Sequence, residues 1–190
     1  AIGQGPRSGV LPALRGWLAT LAPGAELGEL RTGEPTDWQE PMTIRCEFRL
    51  PGYAAVGART CVWRPVALNL ALTGYGGAVR LADPPELPAG RETPAMLWWA
   101  QTVTVDEELH LPDDFRASLP RQAWTAGDAG SFAACEVRAS GDGDDEVVHH
   151  GTLRHDRRQV PVARWDSFRA AVNTWREAGA ARLLARREGN

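Results

Sequence analysis

The sequence predicts a mainly β protein, an antiparallel immunoglobulin-like β-sandwich with an N-terminal helix and a late amphipathic helix. Several segments of strand length alternate apolar and polar residues, as expected where one face of a sheet is buried. The chain contains 20 Gly and 14 Pro, and turn signals interrupt it about every ten residues, as in sandwiches. Two segments instead repeat apolar residues with helical spacing.

The two helices are predicted over residues 8–21 and 163–178. Their apolar stripes are Leu11, Leu14, Leu18 and Leu21 in the first helix, and Trp165, Phe168, Val172 and Trp175 in the second. Pro23-Gly24 ends the first helix, and Gly179 is a natural C-terminal cap for the second. We expect the helices to pack at the edge of the sandwich.

Strands are predicted wherever side chains alternate between turn signals. The segments are 25–32, 42–50, 95–109, 131–139, 146–154, 158–162 and 181–187, with an edge or irregular strand in 60–73 because of Pro65. Residues 131–139 and 146–154 form a hairpin joined by residues 141–145. We therefore divide the chain into a linker and helix over 1–23 and a sandwich domain over 24–190.

Composition excludes several function classes. The net charge is −3 and the isoelectric point is near 5.8, which argues against nucleic-acid binding. No apolar run reaches the length of a transmembrane helix. All 21 basic residues are arginine, so the chain has no lysine for a Schiff base or a phosphate clamp.

The histidines and the acidic run are the candidate metal ligands. His149 and His150 are adjacent on a strand and point to opposite faces, and His155 is too far along the strand to join either of them. His110 stands at a strand end without a visible partner. The acidic run at 142–146 lacks the length and flanking helices of a calcium loop and is interpreted as a solvated hairpin tip. We predict no metal site and no cofactor.

The three cysteines are Cys46, Cys61 and Cys135, too few and too scattered for a disulfide framework. Cys46 and Cys135 fall on the apolar sides of their strands, which indicates buried thiols rather than nucleophiles. The sequence leaves their redox state open, and we predict no catalytic residue.

Tryptophan is frequent, with eight residues in 190. Trp98 and Trp99 are adjacent on a strand, so their side chains point to opposite faces of the sheet and only one of them faces the core. Together with Trp63 they are the predicted binding residues. They would contact a neighbouring domain or a protein partner or, in the alternative function, stack on a carbohydrate of the cell wall.

The order of several short motifs resembles a known family. The motifs are residues 40–54 (EPMTIRCEFRLPGYA), Arg91-Glu92-Thr93-Pro94, Leu109–Asp113, Leu119-Pro120 and Val160–Phe168, and the resemblance spans residues 10–187. They look like the C-terminal, non-catalytic region of bacterial transglutaminase-like proteins. In that family a papain-like catalytic domain lies between β-sandwich domains of unknown function.

The resemblance implies an accessory or interaction module rather than an enzyme. The catalytic triad of the family belongs to the central domain, so no catalytic residue is carried over to this chain. We expect the 190 residues to be a piece of a longer polypeptide, with the catalytic domain of the same polypeptide or a protein as partner. Since members of the family are often exported, a periplasmic or extracellular location is expected.

Overall fold

A computed structural model describes residues 15, 16, 18, 19, 22, 24–32, 44–66, 68, 87–97, 100–119, 122–141 and 143–188. The chain forms two compact units, Ala1–Ala54 and Ala55–Asn190. The unit boundary lies after the second predicted strand, whereas the sequence interpretation placed it near residue 23.

The first unit contains one β-hairpin. Strand β1 (Glu26–Thr32) pairs antiparallel with β2 (Ile44–Arg49), and the register shifts between Leu27 and Leu30. Both predicted strands are confirmed. Of the predicted N-terminal helix, residues 15, 16, 18 and 19 are helical, and the remainder lies outside the described residues, so its extent stays a prediction.

The second unit is built on a four-stranded antiparallel sheet, here called the central sheet. Its strands are β6 (Gln101–His110), β10 (Glu146–His155), β9 (Ser131–Ser140) and β8 (Gln122–Gly127), in that order. The hairpin of β9 and β10 confirms the prediction for residues 131–154. Alternate residues of both strands are buried, because one face of the sheet forms the core.

A second four-stranded antiparallel sheet is formed by shorter strands. They are β3 (Ala55–Val56), β4 (Thr60–Trp63), β12 (Leu183–Arg187) and β7 (Phe115–Ala117), in that order. The predicted C-terminal strand is thus confirmed, and it lies between β4 and β7. The predicted strand over 95–109 is divided into β5 (Ala95–Met96) and β6, and β5 pairs with β11 (Gln159–Val160).

Helix α1 (Trp165–Ala180) follows a short 3-10 turn over Val162–Arg164. It confirms the predicted amphipathic helix, although Gly179 lies within the helix instead of capping it. The helix packs on one face of the central sheet, mainly over β8 and β9, and thus covers the part of that face nearest the β8 edge. The reason is its broad apolar face, since a stripe of this width needs a sheet face to be buried against.

The helix takes part in two core clusters, one against the central sheet and one against the β5–β11 pair. One cluster contains Leu68, Val105, Ala133, Cys135, Leu153, Ala171, Trp175 and Ala178, and the other contains Ala95, Leu97, Val160, Trp165, Phe168 and Val172. Gly151 is required at the first cluster, because a Cβ there would lie 2.7 Å from Leu68 Cδ2 and 3.1 Å from the Trp175 ring. The Trp175 indole donates to the Leu68 carbonyl at 3.1 Å, which satisfies its buried N–H.

Candidate functional site

Histidines face carboxylates across strands β6 and β10 because of the register between these strands. His149 is opposite Glu107, His150 is opposite Asp106, and Glu146 is opposite His110. Directly opposed side chains on an antiparallel pair are close enough to form ion pairs. The sequence places no pair together by itself, since about 40 residues separate the partners along the chain.

The inner pair, His149 and Glu107, lies on the core face. His149 is fully buried, and its Nδ1 is 2.9 Å from Glu107 Oε2. Glu107 Oε1 accepts the N–H of Val66 at 3.1 Å, so the carboxylate also fixes the segment after β4. His149 Nε2 makes no hydrogen bond within the part of the chain that the structure describes. A carboxylate that orients an imidazole is the arrangement used in hydrolytic triads, but such a triad also needs a reactive nucleophile.

The described cysteines do not supply that nucleophile. Cys61 and Cys135 are free and buried, as predicted for Cys135. Burial raises the pKa of the Cys135 thiol to about 12 and also raises the pKa of Cys61. Both sulfurs therefore stay protonated near neutral pH, and the thiol is a weak nucleophile. The side chain of Cys46 lies outside the described residues.

The outer histidines lie on the opposite, exposed face of the sheet. His150 Nδ1 is 2.6 Å from Asp106 Oδ1. His110, for which the sequence showed no partner, lies between Glu108 at 3.2 Å and Glu146 at 3.3 Å. His110, Glu108 and Glu146 each place one possible metal-ligand atom within 4.8 Å of the other two. Because each ring nitrogen of His110 already faces a carboxylate, the arrangement is that of a histidine held between two acidic neighbours.

His155 is buried at the end of β10 and is 1% exposed. Neither ring nitrogen has a hydrogen-bond partner among the described residues, and the ring lies 4.9 Å from the ring of Phe168 on helix α1. Desolvation lowers the pKa of His155 to about 4, although nearby Asp156 acts in the opposite direction. The residue is therefore a neutral part of the core and not a ligand.

The acidic tip of the β9–β10 hairpin is a tight turn, in which Gly141, Gly143 and Asp144 have positive φ angles. The backbone oxygens of Asp144 and Asp145 accept N–H groups from Ala117 and Leu111. These two bonds tie β7 and the residue after β6 to the turn. This geometry supports the structural interpretation of the tip. Asp142 lies outside the described residues.

The tryptophans selected from the sequence are placed only in part. Trp63 is 5% exposed in β4, so its ring is packed inside and offers no face to solvent. Trp98 and Trp99 lie outside the described residues. Trp165 and Trp175 are core residues of helix α1. Trp63 is thus unsuited to the surface role that the prediction gave it.

The structure also forms a polar pocket that the sequence did not indicate. It lies between the β8–β9 turn, the β10–β11 connection and the 3-10 turn before α1, with a volume of about 330 Å³. Asp128 organises the β8–β9 turn by accepting the N–H groups of Gly130 at 2.7 Å and Ser131 at 3.1 Å. These bonds, the Ser167 hydroxyl and the charge of Arg164 outweigh desolvation and lower the pKa of Asp128.

Two arginines fix the walls of this pocket. Arg164 Nη1 is 3.0 Å from Asp128 Oδ2, which ties the start of α1 to the β8–β9 turn. Arg154 donates to the Ala129 carbonyl at 3.0 Å and pairs with Asp156 at 3.2 Å. In the sequence, the feature that could have indicated this site is the cluster of arginine and aspartate residues at 154–158. That signal is also typical of a solvated turn, so it does not identify a pocket.

Among the described residues, no helix has the length and apolarity needed to span a membrane. No protein-family model and no curated protein matches this sequence. The fold is similar to the crystal structure of a "putative protease" from Parabacteroides distasonis ATCC 8503, with a TM-score of 0.54 and 12% sequence identity. The match covers 68% of this chain and 24% of that chain, so the matched part is about a quarter of the longer protein. At this identity the similarity concerns the fold alone.

Proposed function

We propose that the chain is a non-catalytic accessory or interaction module of a larger, transglutaminase-like protein. The observation that carries the proposal is the structural match, in which most of this chain corresponds to about a quarter of a longer protein. That protein is described as a "putative protease" without a catalytic class, so the transglutaminase-like part of the proposal comes from the sequence resemblance. The motif order within residues 10–187 supports the same family.

The chemistry of the described residues also favours a module without its own reaction. His149 is oriented by Glu107 but is enclosed in the core, and the described thiols have raised pKa values. A catalytic base must reach the proton that it removes from the substrate or nucleophile. His149 is fully buried and the described cysteines are not activated, so the described residues do not meet this condition.

The finer fold assignment, an immunoglobulin-like sandwich over residues 24–190, belongs to this proposal. The two four-stranded antiparallel sheets of residues 55–190 support it. In such a sandwich, helix α1 would cover part of one face of the central sheet. The periplasmic or extracellular location is likewise proposed from the family resemblance.

The first experiment detects the native polypeptide in its own organism with an antibody raised against residues 55–190. We expect a band much heavier than 20.6 kDa, enriched in the periplasmic or secreted fraction. A native band at 20.6 kDa would contradict the accessory role. Fractionation with the cytoplasm would contradict only the proposed location.

A second experiment compares transamidation by the native polypeptide with and without the 190 residues, measured as hydroxamate formation from a glutaminyl peptide. We expect the isolated 190 residues to be inactive and the remainder to retain the chemical step. The matched pair for the isolated chain is His149→Gln and His150→Gln, which alter the buried and the exposed histidine. Activity in the isolated chain that is lost in His149→Gln and kept in His150→Gln would refute the non-catalytic assignment.

A further inference from the structure

The pocket beside the β8–β9 turn has an uneven charge. Arg157, Arg164 and Asp156 line it, so two guanidinium groups face one carboxylate. Adding the ion-pair partners outside the lining, Arg154 and Asp128, gives three cations and two anions. The pocket therefore keeps an excess of one positive charge when every ion pair is counted.

Arg157 is the source of this excess. It is exposed, and within the described part of the chain its guanidinium has no ion-pair or hydrogen-bond partner. Arg164 uses Nη1 for Asp128, which leaves further N–H donors of its planar group without a partner among the described residues. Two guanidinium groups with unused donors thus line one pocket, and such groups match the two oxygens of a carboxylate.

The pocket is also held in shape before any ligand enters. The Asp128–Arg164 ion pair and the bonds of Arg154 to Ala129 and Asp156 link the elements that line it, and the Asp156 N–H donates to the Gly130 carbonyl at 3.1 Å. A site with fixed walls loses less conformational entropy on binding than a flexible one. Its volume of about 330 Å³ is sufficient for a small molecule.

The remaining lining indicates an organic anion. Ala129, Val160 and Pro161 give the pocket an apolar wall, and Gln159 adds an amide beside the arginines. We propose that this pocket binds a small organic carboxylate, with Arg157 and Arg164 at its carboxylate group and the apolar wall against its carbon atoms. The site is independent of the accessory role, since it rests on the pocket and not on the family.

The test is a titration of the isotope-labelled chain with N-acetylglycine, followed by nuclear magnetic resonance. We expect saturable shifts of the Gly130, Ser131 and Gln159 amides and of the Arg157 Nε signal. N-acetylglycinamide, which has the same shape without the charge, produces no saturable shift. Arg157→Gln weakens binding about tenfold or more, the factor expected for the loss of one charge-assisted hydrogen bond.

Arg158→Gln is the matched control, because Arg158 is the exposed neighbour of Arg157 and does not line the pocket. It keeps the wild-type affinity. Arg157→Lys keeps the charge without the planar group, and its affinity for N-acetylglycine lies between those of the wild type and Arg157→Gln. A graded loss over two variants also separates weaker binding from misfolding of a single variant. The absence of saturation, equal weakening by Arg158→Gln, or equally tight binding of sulfate would overturn the proposal.

Discussion

Acidification below pH 6.5 should selectively destabilise the second unit through His155. In the unfolded chain this histidine takes up a proton near its ordinary pKa of 6.5, whereas in the folded chain burial lowers the pKa to about 4. The unfolded state therefore binds more protons between these values, and stability falls as the pH falls. The difference of 2.5 pKa units, 6.5 minus 4, corresponds to about 3 kcal/mol by pH 4.

The geometry explains why the folded state resists this proton. His155 is 1% exposed, lies against Phe168, and finds no acceptor for either ring nitrogen among the residues that the structure describes. A charge there would lose its hydration without gaining a hydrogen bond, and the attraction of Asp156 only partly offsets this loss. Above pH 6.5 the histidine is neutral in both states, so its effect on the pH dependence vanishes.

The assay is urea unfolding at pH 7, 6, 5 and 4 for the wild type, His155→Leu and His150→Gln. The other ionisable groups are common to the wild type and His155→Leu, so they cancel in that comparison, whereas His150→Gln also removes the contact with Asp106. The wild type should lose about 3 kcal/mol relative to His155→Leu between pH 7 and pH 4, and His150→Gln should still lose stability because it retains His155. Parallel loss of stability in the wild type and His155→Leu would refute the reasoning.

Three further predictions concern the interior. Gly151→Ala should lower the free energy of unfolding by about 1–3 kcal/mol, measured by urea unfolding. Gly90→Ala, where no described atom lies within 4 Å of the added Cβ, should be nearly neutral. Equal effects of the two substitutions would contradict the close packing at Gly151. Glu107→Gln should lower the free energy of unfolding by about 1–3 kcal/mol, and the exposed Glu108→Gln should lower it by less, measured by thermal unfolding. The reverse order would exclude the buried His149–Glu107 pair as a stabilising contact. Cys135 should react with a thiol reagent at pH 8 only after unfolding, and fast labelling of the native chain, located by mass spectrometry, would show that its thiol is accessible.

Much of the secondary structure could be predicted because its signals are local. The alternation in residues 131–139 and 146–154 identifies β9 and β10, and the helical spacing from Trp165 to Trp175 identifies α1. The strands under the helix were not predicted, because periodicity shows which face is apolar but not what covers it. The break between β5 and β6 was also missed, because Leu97 is fixed by the distant carbonyl of Arg158 at 2.6 Å.

The candidate sites depended on long-range pairing and were predicted less well. The sequence showed correctly that His149 and His150 point to opposite faces, since this follows from strand geometry alone. It did not show that His149 meets Glu107 or that His110 lies between Glu108 and Glu146, because strand register is a tertiary property. Trp63 was selected for binding by residue type, which does not distinguish a buried ring from an exposed one.

The sequence by itself determined the β-rich class, the amphipathic helix, the absence of lysine chemistry and the alternation that buries Cys135. These properties follow from composition and from periods of two and 3.6 residues, which act over a few positions. Only the tertiary structure decided that the helix lies on the central sheet and that Arg157, Arg164 and Asp156 line one pocket. Such groupings depend on how the turns arrange the strands and the helix in space, and the same local patterns are compatible with many tertiary arrangements.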